Sequence, residues 1–104
     1  MNQPKIFCAI DTDDMSHAKM LISQISEAGI GIKLGLEFFN YFGSDGIEEV
    51  MSAAPDIPLF LDLKFHDIPN TVAGAVRAVS HCLKPAYLNV HAAGGLEMMR
   101  HLHK

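Results

Sequence analysis

The sequence predicts an α/β fold with a parallel sheet, and three observations carry that expectation. Short apolar runs alternate with segments of helical period, four times over in 104 residues. The runs are hydrophobic almost throughout, as in strands buried on both faces. Charged or amide side chains gather toward their C-terminal ends, from Asp11 on the first to Asn89 and His91 on the fourth.

Taken in order, residues 5–11 form the first strand, opened by Pro4 and closed by Thr12, Asp13 and Asp14. Asp13 or Asp14 caps the next element, where Ala18, Leu21, Ile22 and Ile25 recur at helical spacing and Gly29 ends the helix. Residues 30–35 make a second strand with Lys33 inside it. Residues 36–54 read as helix broken around Gly43 to Gly46, so two helical pieces are expected. Pro55 and Pro58 frame the turn into a third strand, residues 59–64. Thr71, Val72, Ala75, Val76 and Val79 mark a third helix ending near Lys84 and Pro85. Residues 86–92 are the fourth strand. Ala93, Gly94 and Gly95 then open a last helix, whose Met98, Met99 and Leu102 are expected in the core. Residues 1–104 are read as one domain, with no linker or low-complexity stretch.

Two architectures accommodate four βα units: part of a (β/α)8 TIM barrel, or a small doubly wound sheet. Polar groups ending several successive strands (Asp11, Lys33, Asp62 with Lys64, Asn89 with His91) describe the catalytic rim of a barrel. A doubly wound sheet concentrates its site at one switch point, usually beside a glycine-rich loop, and no such fingerprint is present. A whole barrel takes about 250 residues. Four units are half of one, so the chain is expected to be a half-barrel that does not behave as a simple monomer.

Composition narrows the partners. Eight basic residues against twelve acidic ones give a formal charge of −4, which argues against nucleic acid and membrane surfaces. No apolar run approaches the roughly twenty residues of a membrane span. The N-terminus lacks a signal-peptide layout, and Cys8 and Cys82 stand alone in apolar segments, as buried thiols of a reduced compartment do. A cytoplasmic protein is expected.

The chemistry concentrates in the third strand. Asp62 and Lys64 lie two residues apart, hence on one face of a strand that is otherwise apolar, and Asp67 follows three residues later. A single lysine there could simply snorkel to solvent. Lys33 and Lys64 on adjacent strands, with Asp62 between them and Asp67 close by, favour a functional cluster. Asp11 reads as a ligand-binding group or a strand-end cap. His66 points away from Asp62 by alternation, and His91 reads equally as a site residue or a satisfied core histidine. His17, His81, His101 and His103 fall on helices and are expected in solvent. A Schiff-base lysine needs the neutral amine, whereas neighbouring carboxylates favour the ammonium. An ammonium beside a developing carbanion is an acid and a stabiliser of negative charge. Together with an adjacent carboxylate, these roles describe decarboxylation or enolate chemistry.

At these residues the chain resembles the orotidine 5′-monophosphate decarboxylase family. Asp62-Leu-Lys64-Phe-His-Asp67-Ile68-Pro69-Asn-Thr71 matches its Asp-x-Lys-x-x-Asp-Ile-Pro-x-Thr signature throughout. Ala9-Ile-Asp11, Ile32-Lys33-Leu-Gly35 and Asn89-Val-His91-Ala add support, so the resemblance covers the N-terminal half of the family's barrel. It implies cofactor-free, metal-free decarboxylation of orotidine monophosphate to uridine monophosphate in de novo pyrimidine synthesis. Lys64 would protonate C6, and Asp62 would sit against the substrate carboxylate. Lys33 and Asp11 would bind ribose hydroxyls and orient the charges. The family is a homodimer, so Asp67 and Thr71 would reach the neighbouring subunit's site, and Ile68 would bind substrate. The family's phosphate-gripping residues come from later strands, so these residues alone are expected to have little or no activity. Two rivals remain: a magnesium-dependent sugar-phosphate decarboxylase or synthase of the same superfamily, and a non-catalytic half-barrel.

Overall fold

The computed structural model describes residues 6–102. Lys5, read as the start of the first strand, and His103, read as solvated, lie outside them, as does Pro4. Four βα units follow one another: β1 (Phe7–Ala9), α1 (Met15–Ile25), β2 (Gly31–Gly35), α2 (Leu36–Met51), β3 (Leu59–Phe65), α3 (Pro69–Cys82), β4 (Tyr87–Val90) and α4 (Leu96–His101). Short 3-10 turns close α1 (Ser26–Ala28) and precede α4 (Ala92–Gly94).

The strands lie side by side in chain order, β1-β2-β3-β4, and every pair is parallel. That order decides between the two architectures. A doubly wound sheet reverses direction at a switch point, whereas a barrel steps the same way each time. The fold is four consecutive units of a (β/α) barrel.

Local chemistry explains the boundaries. The Asp14 side chain, one of the two expected caps, accepts from the His17 N–H at 3.1 Å. Gly29 takes φ 74°, the left-handed conformation that stops a helix. Residues 36–51 are two helical pieces, as expected, because Gly43 leaves helical geometry at φ 67°, ψ −169°. Pro69 occupies the first turn of α3, where its missing N–H costs nothing.

The core lies between the sheet and its helices. Ile10, Ile32, Leu34, Leu59, Leu61 and Leu63 point to that side and pack with Ala18, Ile22, Phe38, Ile47 and Val50. Fully burying a side chain such as Leu34 or Leu61 contributes about 1.5–3 kcal/mol. The opposite face, which would line a barrel, carries an edge-to-face aromatic group: Phe7 lies 5.7 Å from Phe60 and 5.6 Å from Tyr87. Gly31 makes room for it, since a Cβ there would sit 2.5 Å from the Phe7 ring.

Several expectations need correction. The two cysteines are not both buried thiols, since Cys8 is half-buried and Cys82 is exposed. Burial on both faces does not hold for β1 or β4: Ala9 and Tyr87 are exposed, because among the described residues helices cover one face of the sheet. These two strands are also shorter than their apolar runs, although the Ile10 N–H still donates to the Lys33 carbonyl at 3.0 Å. His101 is half-buried rather than solvated, with Nδ1 shut away and unpartnered among the described residues, because α4 packs on α3. Met98 is fully buried, while Met99 and Leu102 are half-buried beside it.

Candidate active site

On the open face of the sheet, past the aromatic group, the polar residues of β2, β3 and β4 converge on one carboxylate. Asp62 is 6% exposed and is the one buried charged residue among those described. Lys33 Nζ lies 3.0 Å from its Oδ2, and Lys64 Nζ donates to its Oδ1 at 2.9 Å. Asn89 Nδ2 donates to the same Oδ1 at 2.7 Å. Burial pushes the Asp62 carboxyl up. Hydrogen bonds from Lys64, Asn89 and Lys33, with the charge of Lys33, more than offset it and lower the pKa from 3.8 to about 2.

The lysines differ in access. The Lys33 side chain is 28% exposed and that of Lys64 52%, so the Lys64 ammonium is held by Asp62 yet open to a ligand. Two ammoniums against one carboxylate leave the cluster positive inside an acidic protein, which suits an anionic ligand. Lys64 also departs from strand geometry, with φ 52°. A left-handed conformation in a residue with a Cβ costs about 1–3 kcal/mol.

The remaining expected residues are spread around this centre. Asp11 is exposed and forms no ion pair among the described residues. Asp67 is not drawn to Lys64. It is exposed, and its Oδ1 accepts from the neighbouring Ile68 N–H at 2.7 Å. Ile68, 65% exposed, and Thr71, also exposed, face outward from the start of α3. His66, Asp67, Ile68, Pro69 and Gly94 line an open depression there.

Two relationships were not anticipated. Asn89 bonds both Asp62 and Lys64, although its place near the end of β4 was the signal that could have found it. His66 and His91 stack, with ring centroids 5.1 Å apart and planes at 19°. Strict alternation separated them, but it fails once Lys64 turns left-handed. His91 is exposed, so it is not a core histidine, and its Nδ1 accepts from the Ala93 N–H at 3.1 Å to cap the turn before α4.

The chain has relatives in sequence and in fold. Residues 4–104 match the model of the orotidine 5′-phosphate decarboxylase / HUMPS family. The orotidine 5′-phosphate decarboxylase of Rhodospirillum rubrum is 58% identical over 99 residues, covering 95% of this chain and 39% of that protein. A crystal structure of the orotidine 5′-phosphate decarboxylase from Lactobacillus acidophilus superposes with a TM-score of 0.80 at 32% identity, over 96% of this chain and 43% of that one. The orotidine 5′-monophosphate decarboxylase of Methanocaldococcus jannaschii, complexed with the inhibitor BMP, shares the fold with a TM-score of 0.83 at 20% identity, over 98% of this chain and 46% of that one. The chain thus spans about two-fifths of the length of the curated relatives it matches. By the family model and the shared fold, the chain belongs to the orotidine 5′-phosphate decarboxylase / HUMPS family.

Proposed function

We propose that this chain carries the charged reaction centre of a cytoplasmic, homodimeric enzyme that decarboxylates orotidine 5′-monophosphate to uridine 5′-monophosphate. The observation that carries the reading is the convergence of Lys33 and Lys64 on Asp62, with Lys64 still half open. As the bond from C6 to the carboxylate breaks, its electron pair stays on C6 and carbon dioxide leaves. The Lys64 ammonium stabilises that charge and then delivers a proton to C6. Asp62 lies against the departing carboxylate and keeps the two ammoniums in place. Lys33 and Asp11 bind ribose hydroxyls. Asp67 and Thr71 reach the site of a second subunit, a role supported by their outward exposure and by the absence of any bond from Asp67 to its own Lys64, and Ile68 contacts the substrate. We assign turnover to a completed barrel, and residues 1–104 to the N-terminal half of its single domain.

Joining this chain to the remaining segment of the Rhodospirillum rubrum relative tests the proposal. The joined protein should decarboxylate orotidine monophosphate, and Lys64→Ala should lower kcat by about a hundred- to ten-thousand-fold. A folded protein that turns over a sugar phosphate only with magnesium would establish the superfamily rival instead. One that binds no uridine-monophosphate-like inhibitor would leave the non-catalytic reading.

A further inference from the structure

The ladder between β3 and β4 contains an irregularity that the reaction scheme above does not use. Leu61 pairs with Leu88 and Phe65 with Val90, so β3 advances four residues while β4 advances two. The additional residues of β3 fall within the stretch that holds Asp62 and Lys64. A shift of this kind interrupts main-chain pairing and re-aims the side chains around it. Here the Lys64 N–H meets a side chain instead: Asn89 Oδ1 accepts it at 2.9 Å. The other end of the same amide donates to Asp62 at 2.7 Å.

We propose that Asn89 is a positioning residue for the reaction centre: its amide spans the β3 irregularity, holding the Lys64 backbone left-handed with one atom and the Asp62 carboxylate with the other. The inference rests on the decarboxylase reading for its catalytic consequence, but not for its geometry. The orientation of the amide follows from its partners. A backbone N–H can only donate, and an ionised carboxylate can only accept, so Oδ1 must face Lys64 and Nδ2 must face Asp62. Few side chains can do both at this reach. Leucine of similar shape offers neither group, aspartate offers two acceptors, and glutamine is longer by a methylene. Left-handed geometry at Lys64 is otherwise unfavourable, so a fixed acceptor for its N–H supports the conformation that returns Nζ to Asp62.

The test compares Asn89→Ala and Asn89→Asp with the parent sequence. In the full chain, carbon-13 NMR follows the Asp62 carboxyl, and the intraresidue HN–Hα Overhauser effect reports the sign of the Lys64 φ. In the joined barrel, kcat and KM for orotidine monophosphate are measured. Asn89→Ala should raise the Asp62 midpoint and weaken the Overhauser effect. It should lower kcat about ten- to a hundred-fold, with KM changed less than about threefold. Asn89→Asp keeps an acceptor for Lys64, so the Overhauser effect should persist. The carboxyl titration should still move up and kcat should still fall. A folded Asn89→Ala protein with parental kcat and an unmoved Asp62 midpoint overturns the inference. Should Asn89→Ala not fold, parental kcat and midpoint in the isosteric Asn89→Asp overturn it equally. An inactive joined barrel of parental sequence counts against the decarboxylase reading alone, because the two NMR readouts still decide the role of Asn89.

Discussion

Asp62 combines near-complete burial with three donors, and its titration makes that combination measurable. Its folded pKa, about 2, lies below the ordinary 3.8. The stabilisation is therefore complete above the unfolded value and is lost as pH falls through the folded one. Its size is about 2–3 kcal/mol. Urea unfolding between about pH 5 and pH 2 should show that loss beyond what Asp62→Asn shows over the same range. Equal pH slopes for the two proteins would mean that the lysines do not hold the carboxylate in solution. At neutral pH, Asp62→Asn should itself cost about 1–3 kcal/mol, since it strips two ammoniums of their counter-charge. The figure stays below that for a fully buried pair because both lysines can rehydrate.

At the scale of elements, α2 and α1 offer the clearest tests. Gly43 has φ 67° and ψ −169°, with open space where a Cβ would go, so the cost of Gly43→Ala is conformational rather than steric. That substitution should destabilise the chain by about 1–3 kcal/mol and lower Tm accordingly. An unchanged melt would mean that the break in α2 can be abandoned without loss. Asp14→Ala removes the cap on the His17 N–H and should cost about 0.5–2 kcal/mol in the same assay. Both features were legible in the sequence, because a glycine pair inside a helical pattern and an aspartate before one are local signals. The left-handed turn at Lys64 was not, since a lysine carries no such signature.

At the scale of the whole molecule, the consequential feature is a sheet that the described helices cover on one side. Among the described residues, β1 and β4 each have a single strand neighbour, and the open face presents Phe7, Phe60 and Tyr87, the last 43% exposed. Exposed aromatic surface beside unpaired strand edges favours association. Sedimentation velocity of the 104-residue chain should show concentration-dependent association, reduced by Tyr87→Lys. A monodisperse monomer with a cooperative melt would contradict this.

The sequence by itself determined the four βα units, the break in α2 and the placing of Asp62 and Lys64 on one strand face. Each of these is written in local periodicity or in side chains two residues apart on one strand. Only the tertiary structure decided the strand order, and with it the barrel over the doubly wound sheet. It also decided that Asp67 accepts from the neighbouring Ile68 N–H, that His66 stacks on His91, and that Asn89 replaces a main-chain acceptor for Lys64. The physical reason is common to these cases. Strand order and register depend on partners distant in the chain, and a shift in register leaves no mark on the period of either strand.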